Sequence, residues 1–141
     1  MKTIPNYPHC FVCGDKNKEG LNIAFFFDKG KAKAQYTSSK KFEGYPDILH
    51  GGIISALLDE VMIQSIVAAG IPTFTVQIDV KFKKPAKIGE KLLLEGWITK
   101  DKGRIFLTEG KISREDGTLI ASANGKYYKV QDKMKEHLKK R

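Results

Sequence analysis

The segment His50-Gly51-Gly52-Ile53-Ile54-Ser55-Ala56-Leu57-Leu58-Asp59 places two kinds of chemistry on one element. If a helix starts at the glycines, its first backbone N–H groups have no intrahelical acceptor, and the positive end of the helix dipole lies there. Glycines let a ligand atom approach those N–H groups closely. A carbonyl oxygen held there becomes more electrophilic, and the oxyanion formed on attack is stabilised. Losing one such donor typically costs roughly 3–4 kcal/mol of transition-state stabilisation. Asp59 follows two turns later, on the side of Ser55, Met62, Ile63 and Ile66. A carboxylate in that company needs a partner, because a lone buried charge is expensive. It suits a general base acting on water, or a nucleophile giving a mixed anhydride. Glu60 points about 100° away, towards Gln64 and Val67, and is a rival acid. The alternative is that both acids are structural, hydrogen-bonded within a dimer interface.

A second group with chemical potential is His9-Cys10 and Cys13, a C-x-x-C near the N-terminus. A structural zinc ion usually takes four ligands, and the chain offers no second pair. No thioredoxin-like pattern accompanies the dithiol. The expectation is two reduced cysteines packing a leader over the sheet, with no metal and no cofactor. His137 reads as a solvent-exposed residue of the C-terminal tail.

These residues need a scaffold, and the hydrophobic pattern supplies one. Leu21, Ile23, Phe25 and Phe27 alternate with Asn22, Ala24, Phe26 and Asp28, Asp28-Lys29-Gly30 reads as a turn, and the chain returns through Ala32, Ala34 and Tyr36. A loop spans Thr37 to Leu49. Gly52 to Ala69 is apolar nearly all round, which marks an enclosed helix. After Gly70 and Pro72 the period returns to two: Phe74, Val76, Ile78, Val80 and Phe82 form one face, with Thr75, Gln77, Asp79 and Lys81 on the other. Strands are expected over Glu90–Lys100, Arg104–Arg114 and Thr118–Val130, linked by short Gly-containing turns suited to antiparallel hairpins. The last dozen residues suit a frayed amphipathic helix. The fold class is therefore α+β, an antiparallel sheet wrapped around one long central helix. The helix is too apolar for one concave sheet to cover, so a second copy is expected beside it.

Composition bounds the reading. The chain has 141 residues, 41% hydrophobic and 29% charged, an ordinary single-domain balance. Residues 1–20 form a leader, 21–130 the domain and 131–141 a basic tail. The N-terminus lacks the apolar core of a signal peptide, and the apolar stretch from Gly51 to Gly70 carries Asp59 and Glu60 at its centre. A cytoplasmic protein is expected. The formal charge is +9, and residues 126–141 hold seven basic residues against two acidic ones, a net +5. A basic surface attracts phosphates, but neither interleaved aromatics nor a recognition helix accompanies it. Neither nucleic acid nor a membrane is an expected partner.

The helix-start segment resembles that of hotdog-fold acyl-CoA thioesterases, in the branch similar to the phenylacetic-acid-pathway thioesterase, a part of the 4-hydroxybenzoyl-CoA thioesterase superfamily. That branch places its catalytic aspartate nine residues after the histidine, as here. Val80 to Glu90 is similar to the family's strand followed by Pro85 and Gly89. Asp116 to Gly125 resembles its last hairpin, and Cys10-Phe11-Val12-Cys13-Gly14 with Gly20-Leu21 resembles a leader seen in many members. The resemblance implies a metal-free hydrolase cleaving an acyl- or aryl-CoA thioester to acid and free CoA. Asp59 would be nucleophile or general base, and the Gly51 N–H would polarise the carbonyl. His50 would orient the loop or contact substrate. Each site would be built across a homodimer, alone or paired into a tetramer. Thr75 matches a Ser or Thr that holds the attacking water, although the alternation puts Thr75 on the polar face. Some members carry an Asn where this chain has Gly44. The acyl chain would run beside Met62, Ile63 and Ile66, with Gly52 also touching substrate and Lys83, Lys84 and Lys126 meeting the CoA phosphates. Dehydratases of the same fold pair the histidine with a carboxylate fourteen residues on, where this chain has Gln64. The reading from another class is a non-catalytic acyl-CoA-binding or regulatory module.

Overall fold

Alternating apolar residues and tight turns produce one seven-stranded antiparallel sheet in the computed structural model, which describes residues 1–138. Lys139, Lys140 and Arg141 of the basic tail lie outside the described residues. The strands are β1 (Lys2–Thr3), β2 (Phe26–Asp28), β3 (Lys31–Thr37), β4 (Thr73–Phe82), β5 (Lys91–Asp101), β6 (Ile105–Arg114) and β7 (Leu119–Lys129). Helix α1 (Gly51–Val67) lies between β3 and β4, and a short α2 (Asp132–Leu138) follows β7. The order across the sheet is β1-β2-β3-β5-β6-β7-β4, so β4 is an edge strand.

The sheet curls around α1, as its largely apolar surface requires. Leu57, Leu58, Val61, Met62 and Ile66 have no exposure, each adding about 1.5–3 kcal/mol of burial. Contact is close because Gly96 lies beneath the helix: a Cβ there would stand 2.4 Å from the Val61 carbonyl oxygen. This is the hotdog architecture.

Three expectations change. The strand read from Leu21 begins only at Phe26. Leu21 and Ile23 donate their N–H groups to Phe11 and Val12 carbonyls instead, and Phe25 accepts from Ile4. The leader is thereby sewn into the core, where Ile4, Val12 and Cys13 are buried. Cys10 and Cys13 lie against α1, beside Glu60 and Gln64, rather than over the sheet.

The third change concerns β4. Its pairing with β7 slips between Thr75, opposite Tyr127, and Gln77, opposite Lys126, leaving Val76 as a bulge. One extra residue reverses the face of everything beyond it. The apolar set is therefore split. Ile78, Val80 and Phe82 share the inner face with Thr75, while Phe74 points outward and lines a groove with Tyr128 and Met134 of α2.

Candidate active site

Helix α1 starts where His50 caps it. The His50 backbone is extended (φ −60°, ψ 134°), and its Nδ1 accepts the Gly52 N–H at 2.8 Å. Ile53 and Ile54 donate to the His50 carbonyl. The Gly51 N–H is left with no protein acceptor among the described residues, at the positive end of the helix. Gly52, expected to touch substrate, has its N–H committed to the His50 ring. Gly44, standing where some members carry Asn, packs on His50: a Cβ there would be 3.3 Å from the His50 Cα.

The helix tip opens into a groove of about 810 Å³ lined by Tyr45, His50, Gly51, Phe82, Lys83 and Lys84, among others. Two exposed ammonium groups thus stand at the mouth of the site that the unpaired amide faces. Lys126 lies in a separate groove with Gln77 and Asp79.

Asp59 occupies the flank of α1 that faces β4 and β7. Its Oδ1 accepts from Thr75 Oγ1 at 2.9 Å and from the Tyr127 hydroxyl at 2.8 Å. The Tyr127 hydroxyl also lies 3.1 Å from the Asp59 carbonyl oxygen. Oδ2 has no hydrogen-bond partner among the described residues, so one oxygen is anchored and the other is open. Burial, and then the nearby Asp59 charge, pushes the Tyr127 phenol up, which keeps it protonated as a donor. The polar-face expectation for Thr75 fails because of the Val76 bulge.

Tyr127 was not singled out from the sequence. The available signal was a large, polar-tipped aromatic closing an inward series of small residues, Ala121, Ala123 and Gly125. Met62 and Ile66, expected along an acyl channel, are core residues. Met62 lies against Gly110 and Gly125, where added Cβ atoms would meet it at 2.8 and 3.0 Å. Ile63 is half-buried and stays available at the helix flank.

Glu60 turns away from Asp59. It accepts from Gln64 Nε2 at 2.8 Å, and Cys10 Sγ lies 3.8 and 3.9 Å from its oxygens. Burial pushes its carboxyl up to about 7, helped by the charge of Cys10. The Cys10 thiol is held low, chiefly by hydrogen bonding with Cys13, whose own thiol is pushed up. Neither Glu60 nor Asp59 lines the groove at the helix tip, and Gln64 is buried beside Glu60.

One distance organises the site. Gly51 and Asp59 are eight residues apart on one helix, about 12 Å along its axis. A carboxylate must come within about 3 Å of the atoms it acts on. Within one chain, Asp59 does not reach a carbonyl held at Gly51.

Residues 47–121 match the family model described as Thioesterase superfamily. The chain belongs to the thioesterase superfamily. Among superfamily proteins, it is similar to the acyl-coenzyme A thioesterase THEM5 of Mus musculus, 26% identical over 116 residues that cover 80% of this chain and 47% of that protein. The crystal structure of another thioesterase superfamily protein, RHA08564, superposes with a TM-score of 0.81 at 26% identity, covering 86% of this chain and 60% of that one. The structure of smu.793 from Streptococcus mutans UA159, bound to acetyl CoA, has a TM-score of 0.72 at 22% identity, covering 77% and 89% respectively. The chain spans about half the length of the curated THEM5 relatives it matches. No helix among the described residues is long and apolar enough to cross a membrane.

Proposed function

We propose that this superfamily member hydrolyses an acyl- or aryl-CoA thioester to the free acid and CoA, in a site shared by two copies of the chain. The observation that carries the reading is the Asp59 carboxylate, held through Oδ1 by Thr75 and Tyr127 with Oδ2 open, about 12 Å along the helix from the unpaired Gly51 amide. The separation makes sense when Asp59 of one copy faces the helix tip of the other.

Strand β4 supplies the surface for that pairing. It is ten residues long, is bonded only to β7 among the described residues, and leaves Val76 and Phe82 exposed. Such an edge favours pairing with another strand. Antiparallel joining of two β4 edges sets the two α1 helices side by side in opposite directions, which brings each Asp59 towards the other copy's Gly51.

The thioester carbonyl oxygen accepts the Gly51 N–H, which makes its carbon more electrophilic. Asp59 Oδ2 takes a proton from a water that adds to that carbon. The tetrahedral oxyanion collapses, the C–S bond breaks, and CoA leaves as a thiolate that takes up the proton. Direct attack by Oδ2 is the variant in which water cleaves a mixed anhydride in a second step. His50 orients the Gly51 amide through its cap on Gly52, and Lys83 and Lys84 meet the CoA phosphates. The CoA ester bound by smu.793, on the same fold, supports this ligand class.

The test is release of free thiol from a panel of acyl- and aryl-CoA esters by the parent and by Asp59→Asn. Turnover by the parent and a fall of about 1,000-fold in the variant, with the oligomer intact, are expected, the scale of losing a group that acts in the transition state. Tight CoA-ester binding with no thiol released by the parent would establish the binding-module reading instead.

A further inference from the structure

We propose that Cys10, Cys13 and Glu60 form a binding site for one thiophilic divalent cation of the zinc type, which fastens the leader to α1. The three ligand atoms lie within 4.8 Å of one another. Cys10 Sγ stands 3.8 and 3.9 Å from the two Glu60 oxygens. Tetrahedral zinc with its usual bond lengths separates a sulfur and an oxygen ligand by roughly 3.6 Å, so the Cys10–Glu60 pair needs a shift of a few tenths of an ångström and the widest pair at most about 1 Å.

The loop that carries the cysteines is already bent for this. The Cys13 N–H points to Cys10 Sγ at 3.5 Å, and the Gly14 N–H closes on the Cys10 carbonyl at 2.9 Å. Gly14 permits the turn, since a Cβ there would sit 2.4–2.6 Å from backbone atoms of Pro8 and Cys10. Backbone N–H groups aimed at a sulfur favour its thiolate, the form a metal needs.

Gln64 provides a separate indication. It is 97% buried, its Nε2 holds Glu60 Oε2 at 2.8 Å and lies 3.9 Å from Cys13 Sγ. Its Oε1 is buried with no hydrogen-bond partner, a costly state for a polar atom. A water in the fourth coordination position can donate to Oε1, while Nε2 fixes the ligating carboxylate. The sequence offered only a pair because the third ligand is 50 residues away.

The full-length chain, stripped with chelator under reducing conditions, is titrated with cobalt(II) and then zinc. A sulfur-to-cobalt charge-transfer band saturating at one ion per chain, and bleached by zinc, is expected. Zinc is expected to raise the thermal midpoint of the parent and to protect both thiols from alkylation. X-ray absorption should count two sulfur and two oxygen neighbours. Glu60→Gln should weaken zinc by at least the roughly 10- to 100-fold that losing a supporting group costs. Absence of the charge-transfer band, four sulfur neighbours, or unchanged affinity in a folded Glu60→Gln would each overturn the site. If that variant fails to fold, the sulfur count and the alkylation pattern of the parent decide.

Discussion

The Tyr127 hydroxyl donates to Asp59 Oδ1 at 2.8 Å, tying the last strand in chain order to the middle of the central helix across 68 residues of sequence. Thr75 adds a second donor to the same oxygen from the adjoining edge strand. The helix therefore presents its acid in one orientation.

Tyr127→Phe should keep the fold and lose that orientation. The hydroxyl is a positioning group, so the expected change is a fall in kcat of about tenfold with KM for the CoA ester nearly unchanged, the mark of an interaction felt in the transition state. The lost hydrogen bond should lower stability by about 1 kcal/mol, read by denaturant unfolding. A change confined to stability, with kcat intact, would assign Tyr127 to packing alone.

Thr75 allows a cleaner separation of hydroxyl from bulk. Thr75→Ala is expected to lower kcat by about as much as Tyr127→Phe, whereas Thr75→Ser retains the donor and most of the rate. Equal rates for Ala and Ser would remove the hydroxyl from the site.

His50 acts on the helix start through its ring nitrogen. His50→Ala should destabilise the chain by about 0.5–2 kcal/mol, and His50→Asn, another capping residue, by much less. Thermal unfolding of the two variants measures the difference. The Asn variant should also recover most of the turnover lost in Ala, if the ring serves only to set the loop.

The 12 Å separation within one helix makes a prediction about mixing. An Asp59→Asn chain and a chain blocked at the tip by Gly51→Trp should each be inactive. Refolded together in equal amounts they should regain about a quarter of parental activity, because half the dimers are mixed and each holds one intact site. No recovery from mixed dimers of demonstrated stability would place the whole site in a single chain.

Lys83 and Lys84 should affect binding rather than chemistry. Replacing both by Ala is expected to raise KM for CoA esters several-fold at low salt and to leave kcat alone. The difference should shrink as ionic strength rises and screens exposed charges. A fall in kcat with unchanged KM would contradict their assignment to the phosphates.

The amino-acid pattern alone determined that one enclosed helix runs from about Gly51 and that four strands follow it. A long run that is apolar on nearly all sides suits an enclosed helix, and two-residue alternation suits a strand. It also marked His50, Gly51 and Asp59, because a capped glycine start and a carboxylate two turns on are local features of a single element. What it could not determine is what faces what across elements. The Val76 bulge turned Thr75 inwards, since a single unpaired residue reverses a strand's faces without altering its composition. Tyr127 met Asp59, and Glu60 and Gln64 met the leader cysteines, only once the sheet had wrapped the helix. Those pairings depend on register and curvature, which are settled by the packing of the whole core rather than by any one stretch of chain.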